Sequence, residues 1–271
     1  MDKHSGTCDR RAVGLGMVAL VAGLLSGAAM AQDDFPNPGR QMRIVVPFTA
    51  GGSSDVQARM LADRLSRMWN QPVVVENKPG AGGHLGGKYV VDQAADGYTL
   101  MVGSIGLHAA YGVYGKLTYN PGKDLRVVTV LAEMPHVVVA TPSLPVKNVR
   151  DLIALAKKEP GKLNYASSGA GVIDHLATAM MATRLDIKIE HVPYKGTAPA
   201  LTDLVGGNTQ MFLTTINTVL PFVKDKRLTA LAVSSRARSP LLPDVPTLTE
   251  ATGLNDLELT AWNGLVAPAG T

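Results

Sequence analysis

Four stretches hold the residues whose types and spacing could do chemistry. The first runs from Phe48 through Gly51, Gly52, Ser53, Ser54 and Asp55; the second is Ser104; the third is Ser167, Ser168 and Gly169; the fourth runs from Tyr194 to Thr197. All four are rich in Gly, Ser and Thr, and the chemistry they suggest is the holding of an anion. Glycine lets the main chain approach a ligand closely. Ser53, Ser54 and Asp55 are candidate N-caps for the helical pattern that follows. The N–H groups left over, with the positive end of the helix dipole, form a ready anion site. Each stretch by itself also fits an ordinary capped strand-to-helix turn; the repetition of the pattern favours binding.

Other chemistries fail on spacing. Gly169-x-Gly171 and Gly80-x-Gly82 lack the third glycine of a dinucleotide fingerprint, and Gly87-Lys88 is followed by Tyr89 where a phosphate loop needs Ser or Thr. A nucleophile elbow is missing because Ala166 precedes Ser167-Ser168-Gly169. The histidines, at 4, 84, 108, 136, 175 and 191, have no metal-ligand spacing, so neither metal nor cofactor is expected. His175, on the first turns of the helix after the second Gly-Ser loop, could orient a ligand or act as a base. The plainer reading packs it near a cleft, bonded to a neighbouring loop. Ser168 and His175 together leave a secreted α/β hydrolase open as an alternative.

The elements that must position these residues alternate. Residues 42–46 form a short apolar run that stops at Pro47 and passes through the first glycine loop into an amphipathic segment, 56–68. Strands are expected at 72–76, 98–102, 126–132, 137–141, 163–166, 188–192, 210–213 and 228–233. Helices are expected at 85–94, near His108, and at 149–158, 174–183, 198–205 and 219–224. Val/Ile/Leu runs separated by helices indicate parallel sheets covered on both faces. The rhythm restarts after residue 141, which predicts two α/β lobes, and ligands of open parallel sheets bind beyond the carboxyl ends of the strands. Trp69 and Trp262 read as core or lobe-edge residues, with Trp262 a candidate hinge position.

The chain has 271 residues, 46% of them hydrophobic and 18% charged, which fits neither disorder nor a polytopic membrane protein. Arg10 and Arg11 precede an uncharged run, 12–30, ending at Ala29-Met30-Ala31: the pattern of a secretory signal peptide over residues 1–31. The only cysteine, Cys8, leaves with it, so the exported chain must rely on its core. A formal charge of +4 with no basic run suits anionic small molecules and not nucleic acid.

Taken in order, several motifs resemble one family. They are Val46-Pro47-Phe48 through Gly51-Gly52 to Asp55, the run 71–83 (QPVVVENKPGAGG), Asp96-Gly97-Tyr98-Thr99-Leu100, the run 162–169 (KLNYASSG) with His175-Leu176-Ala177, Val192-Pro193-Tyr194-Lys195-Gly196, the run 199–204, the run 241–247 and the close at 262–271. The set is similar to the Bug-type extracytoplasmic solute receptors of tripartite tricarboxylate transporters. That resemblance implies a type II periplasmic binding protein-like α/β fold: two lobes, a ligand cleft and a hinge. The lobes would be 32–140 with 262–271, and 141–261. It implies a monomer in the periplasm that captures a small carboxylate and hands it to membrane permease subunits, with no catalysis. A periplasmic sensor partner of a membrane signalling system is the alternative of the same fold. The ligand carboxylate would be held by main-chain N–H groups, hydroxyls and waters of residues 48–55, 167–169 and 194–197.

Two departures bear on this. Where many relatives carry an acidic residue after a Met-Phe pair, this chain reads Met211-Phe212-Leu213-Thr214-Thr215, which argues against amino acid ligands. The chain also stops at Thr271 where relatives continue, so the first lobe is expected to be incomplete, with an uncovered apolar face and reduced stability.

Overall fold

Strand β1, Met42–Val46, sends Met42, Ile44 and Val46 into one core cluster and Val45 into another, so both of its faces are packed. The computed structural model describes residues 35–271 except 105 and 108–112. The expected signal peptide and the short helix near His108 lie outside the described residues. Residues 40–271 form one compact unit. In it β1 is followed by α1 (Ser53–Trp69), β2 (Val73–Asn77), a 3-10 turn (Ala81–Gly83), α2 (His84–Val91) and β3 (Thr99–Ser104). Next come α3 (Pro121–Asp124), β4 (Leu125–Ala140), α4 (Val149–Lys158), β5 (Asn164–Ser167) and α5 (Ile173–Arg184). The chain continues through β6 (Glu190–Pro193), α6 (Thr197–Val205), β7 (Met211–Thr215) and α7 (Ile216–Lys224). It closes with β8 (Thr229–Val233), α8 (Leu248–Thr252) and β9 (Thr260–Pro268).

The strands follow the order β2-β1-β3-β9-β4-β7-β5-β6, with β8 also paired to β4. Parallel pairing holds within two groups, β2-β1-β3 and β6-β5-β7. The expectation of wholly parallel sheets is corrected by β4 and β9, which pair antiparallel with each other and with the inner strand of each group. The two parallel groups are therefore linked through strands that run the other way.

The two strands expected at 126–132 and 137–141 are one continuous strand of 16 residues. Pro135, which cannot donate to a ladder, lies within it. It falls where β4 changes partners. Up to Pro135 the strand pairs with β9, and from His136 to Ala140 it pairs with β7, with β8 alongside from Val137. Beyond this point Val138 and Ala140 enter one core cluster and Val137 and Val139 another. Before it, Val127, Val128 and Val130 remain exposed. The fold class is α/β, with two sets of strands and helices joined through β4 and β9.

Candidate functional site

Four helices begin at one cavity. Gly52, Ser53 and Ser54 of α1, Val172, Ile173 and Asp174 of α5, Thr197 of α6, and Thr214 and Thr215 before α7 all line it. The β4 residues Met134 and His136 line it too, as do Phe48, Ser104 and the β9 residues Ala261, Trp262 and Asn263. None of the N-cap residues of these helices, Gly52, Val172, Gly196 and Thr215, makes a side-chain cap. Away from the cavity, α3, α4 and α8 are capped by the side chains of Asn120, Asn148 and Thr247, whereas α2 begins uncapped at Gly83. Glycine has no side-chain oxygen to spend on the first turn and Thr215 turns its own to Thr218, so first-turn N–H groups of α1, α6 and α7 stay available at the cavity, whereas in α5 His175 N–H goes to Asp174.

The first-turn acids differ among the four. In α1, the buried Asp55 carboxylate accepts from Gly51 N–H at 3.0 Å, from the Arg59 guanidinium at 2.9 and 3.0 Å and from the Asn77 amide at 2.9 Å. Burial alone would raise its pKa, but the bonds from Arg59, Gly51 and Asn77 outweigh burial and hold it below its usual value. In α5, Asp174 is buried, and burial pushes its carboxyl up to about 6 despite bonds from Ser168 and His175. Neither α6 nor α7 has an acid in its first turn, so their positive ends are left uncompensated.

The cavity is small, about 50 Å³, and partly open to the surface. That leaves room for several waters, which can fill a polar site of this kind. Thr49 N–H donates to Lys195 O at 3.2 Å, and the Tyr114 hydroxyl donates to Ala170 O at 3.0 Å. These bonds join the loops after β1 and β3 to those after β6 and β5. A larger apolar groove of about 780 Å³ runs between α1 and the α6–α7 pair, and Gly52 and Ser53 border both spaces.

Several residues singled out in the sequence meet here: Phe48, Gly52, Ser53, Ser54, Ser104, Ser168 and Thr197 all line the cavity. Others stand back from it. Gly51 faces the larger groove, and Asp55 is spent on its own loop and on Arg59. Gly169 is packed against the backbone of Gly82, and the Tyr194 hydroxyl donates to Asp203 at 2.6 Å. Ser167 Oγ donates to Gly169 O and lies 2.6 Å from His191 Nε2. His175 is the packed residue of the plainer reading: Nδ1 accepts from Gly171 N–H at 3.0 Å, and its ring stacks on His191 at 3.9 Å.

One local expectation is corrected. The N-cap of α1 is Gly52, not Ser53, Ser54 or Asp55. Ser54 is turned inside to accept from Asn263 at 3.2 Å, while Asp55 folds back onto the loop. Ser168 borders the cavity, yet its N–H and its hydroxyl both donate to Asp174 Oδ2, at 2.9 and 2.6 Å, so neither proton is left for an anion. Met134, His136, Asp174 and Asn263 were missed as site residues. Pro135, where β4 changes partners, stands between two of them, Met134 and His136.

The chain matches the family described as the tripartite tricarboxylate transporter family receptor over residues 57–271. It belongs to that family. The receptor is 36% identical to protein BugT of Bordetella pertussis over 95% of its own length and 78% of BugT. Among solved structures it is similar to an R. palustris protein with adipate, at TM-score 0.83 and 38% identity, covering 88% of this chain and 79% of that one. It is also similar to MatC of Rhodopseudomonas palustris with bound malate, at TM-score 0.82 and 35% identity, covering 86% and 80%. The receptor thus has the periplasmic binding protein fold of a family of solute receptors.

Proposed function

We propose that this receptor binds a small organic acid by its carboxylate among the N-termini of α1, α6 and α7 and delivers it to the permease of a tripartite tricarboxylate-type system. The observation that carries the proposal is the convergence of uncapped helix N-termini on one cavity, two of them with no first-turn acid. The adipate and malate named for two relatives fit the same chemistry. Ligand contacts are assigned to Gly52, Ser53, Thr197 and Thr215, with Phe48, Ser54 and Ser104 shaping the wall. Residues 32–140 with 262–271, and 141–261, are taken as the lobes, with β4 and β9 the strands that flex between them.

Export through a signal at residues 1–31 to the periplasm, and action as a monomer, complete the reading. It is supported against a hydrolase by the hydrogen bonds of Ser168 and His175, which go to Asp174 and Gly171 and not to each other. A thermal-shift screen of mono-, di- and tricarboxylates, aromatic acids and amino acids tests the proposal, followed by calorimetry of the hits. A carboxylate that raises the melting midpoint and is recovered unchanged is the expected result. Failure of every acid to bind, or conversion of a bound compound to product, would overturn it.

A further inference from the structure

His136 enters the cavity from β4, at the point where that strand changes partners, and is 4% exposed. Its backbone N–H donates to Ser234 Oγ at 2.9 Å, and its Nδ1 lies 3.2 Å from Met134 O. A carbonyl oxygen only accepts, so the proton sits on Nδ1 and Nε2 carries the lone pair. Among the described residues no hydrogen bond reaches Nε2. Burial pushes the imidazole down to about 4, so the ring is neutral at physiological pH. The wall of the cavity therefore offers an acceptor without charge.

We propose that His136 sets ligand specificity by accepting, at Nε2, a hydrogen bond from a hydroxyl of the bound acid, so that the receptor prefers hydroxy-carboxylates to their deoxy counterparts. This rests on the carboxylate reading above and names the class of acid. A second carboxylate at that place would set lone pairs against a lone pair. An ammonium group would need a free counter-charge, and among the described residues lining the cavity the only acid is Asp174. Its Oδ2 already accepts twice from Ser168, and its Oδ1 accepts from His175 N–H at 2.8 Å. A hydroxyl satisfies the acceptor, whereas a deoxy acid leaves it desolvated and unpaired.

Calorimetry with matched pairs tests this: malate against succinate, lactate against propionate, and 3-hydroxybutyrate against butyrate. For the pair that binds, the hydroxy acid is expected to bind about tenfold tighter. His136→Gln retains an acceptor and should keep a preference; His136→Leu should bring the ratio close to one. Equal affinity within every binding pair, or a ratio unchanged in a folded His136→Leu protein, overturns the inference and leaves the receptor reading standing. Absence of binding by all six acids overturns both. If His136→Leu does not fold, the wild-type ratios decide alone.

Discussion

The backbone of Gly82 is pressed against the carbonyl oxygen of Ala170: a Cβ on Gly82 would lie 2.3 Å from that oxygen. The two residues sit on loops from opposite strand groups, after β2 and after β5, and Gly82 has a φ of 60°. At Gly196 the neighbour is Thr49: a Cβ there would lie 2.9 Å from the Thr49 backbone nitrogen and 2.2 Å from its Oγ1. Closure is therefore a close approach of main chains, which only glycine permits. Gly82→Ala should hold the loops apart and weaken acid binding at least about tenfold, read by calorimetry. A variant that binds like wild type would show that these loops need not touch.

Gly52 and Ser168 both border the cavity, yet they should respond differently to substitution. Gly52→Val puts a branched side chain over the open N-terminus of α1, where its Cβ would already lie 3.6 Å from Thr197 Cβ. Affinity should fall more than about tenfold as backbone approach is lost. Ser168→Ala removes a hydroxyl whose proton is held by Asp174, and should cost less than about threefold. Titration of both variants with the same acid checks the order; the reverse order would place the anion on the Ser168 loop.

Asp174 sets a negative charge in the cavity wall, against the anion. Asp174→Asn keeps an acceptor for Ser168 and removes that charge, so affinity at neutral pH should rise a few-fold. A loss of affinity in a variant with wild-type melting would count against a carboxylate held nearby.

Stability should fall in acid. Burial pushes His136 and His191 down to about 4, His191 further pressed by neighbouring His175, while unfolded imidazoles titrate near 6.5. Between these values the unfolded chain binds more protons, so stability drops as pH falls from 6.5 towards 4. His175, also lowered by burial, acts in the same direction. Asp174 opposes them: its carboxyl is raised to about 6 from 3.8, so it favours the folded state as pH falls through that window. The imidazoles outnumber it, so the melting midpoint should decline across this range, and Asp174→Asn should steepen the decline. A flat profile from pH 6.5 to 4 would show that these histidines are not held neutral.

Much of this molecule is written in short-range pattern. The helix at 149–158 falls where the apolar spacing placed it, and the four Gly, Ser and Thr stretches stand at or beside the cleft. These features depend on periodicity, turn chemistry and the missing side-chain caps, all of which act within a few residues. Tertiary structure decided the rest. It ran β4 unbroken through Pro135, carried His136 into the cavity, turned Ser168 onto Asp174, and joined Asn263 to Ser54 across 209 residues. A donor or acceptor shows in the sequence only as a capacity. Which partner takes it up is settled by what the packed strands and helices bring within hydrogen-bond reach.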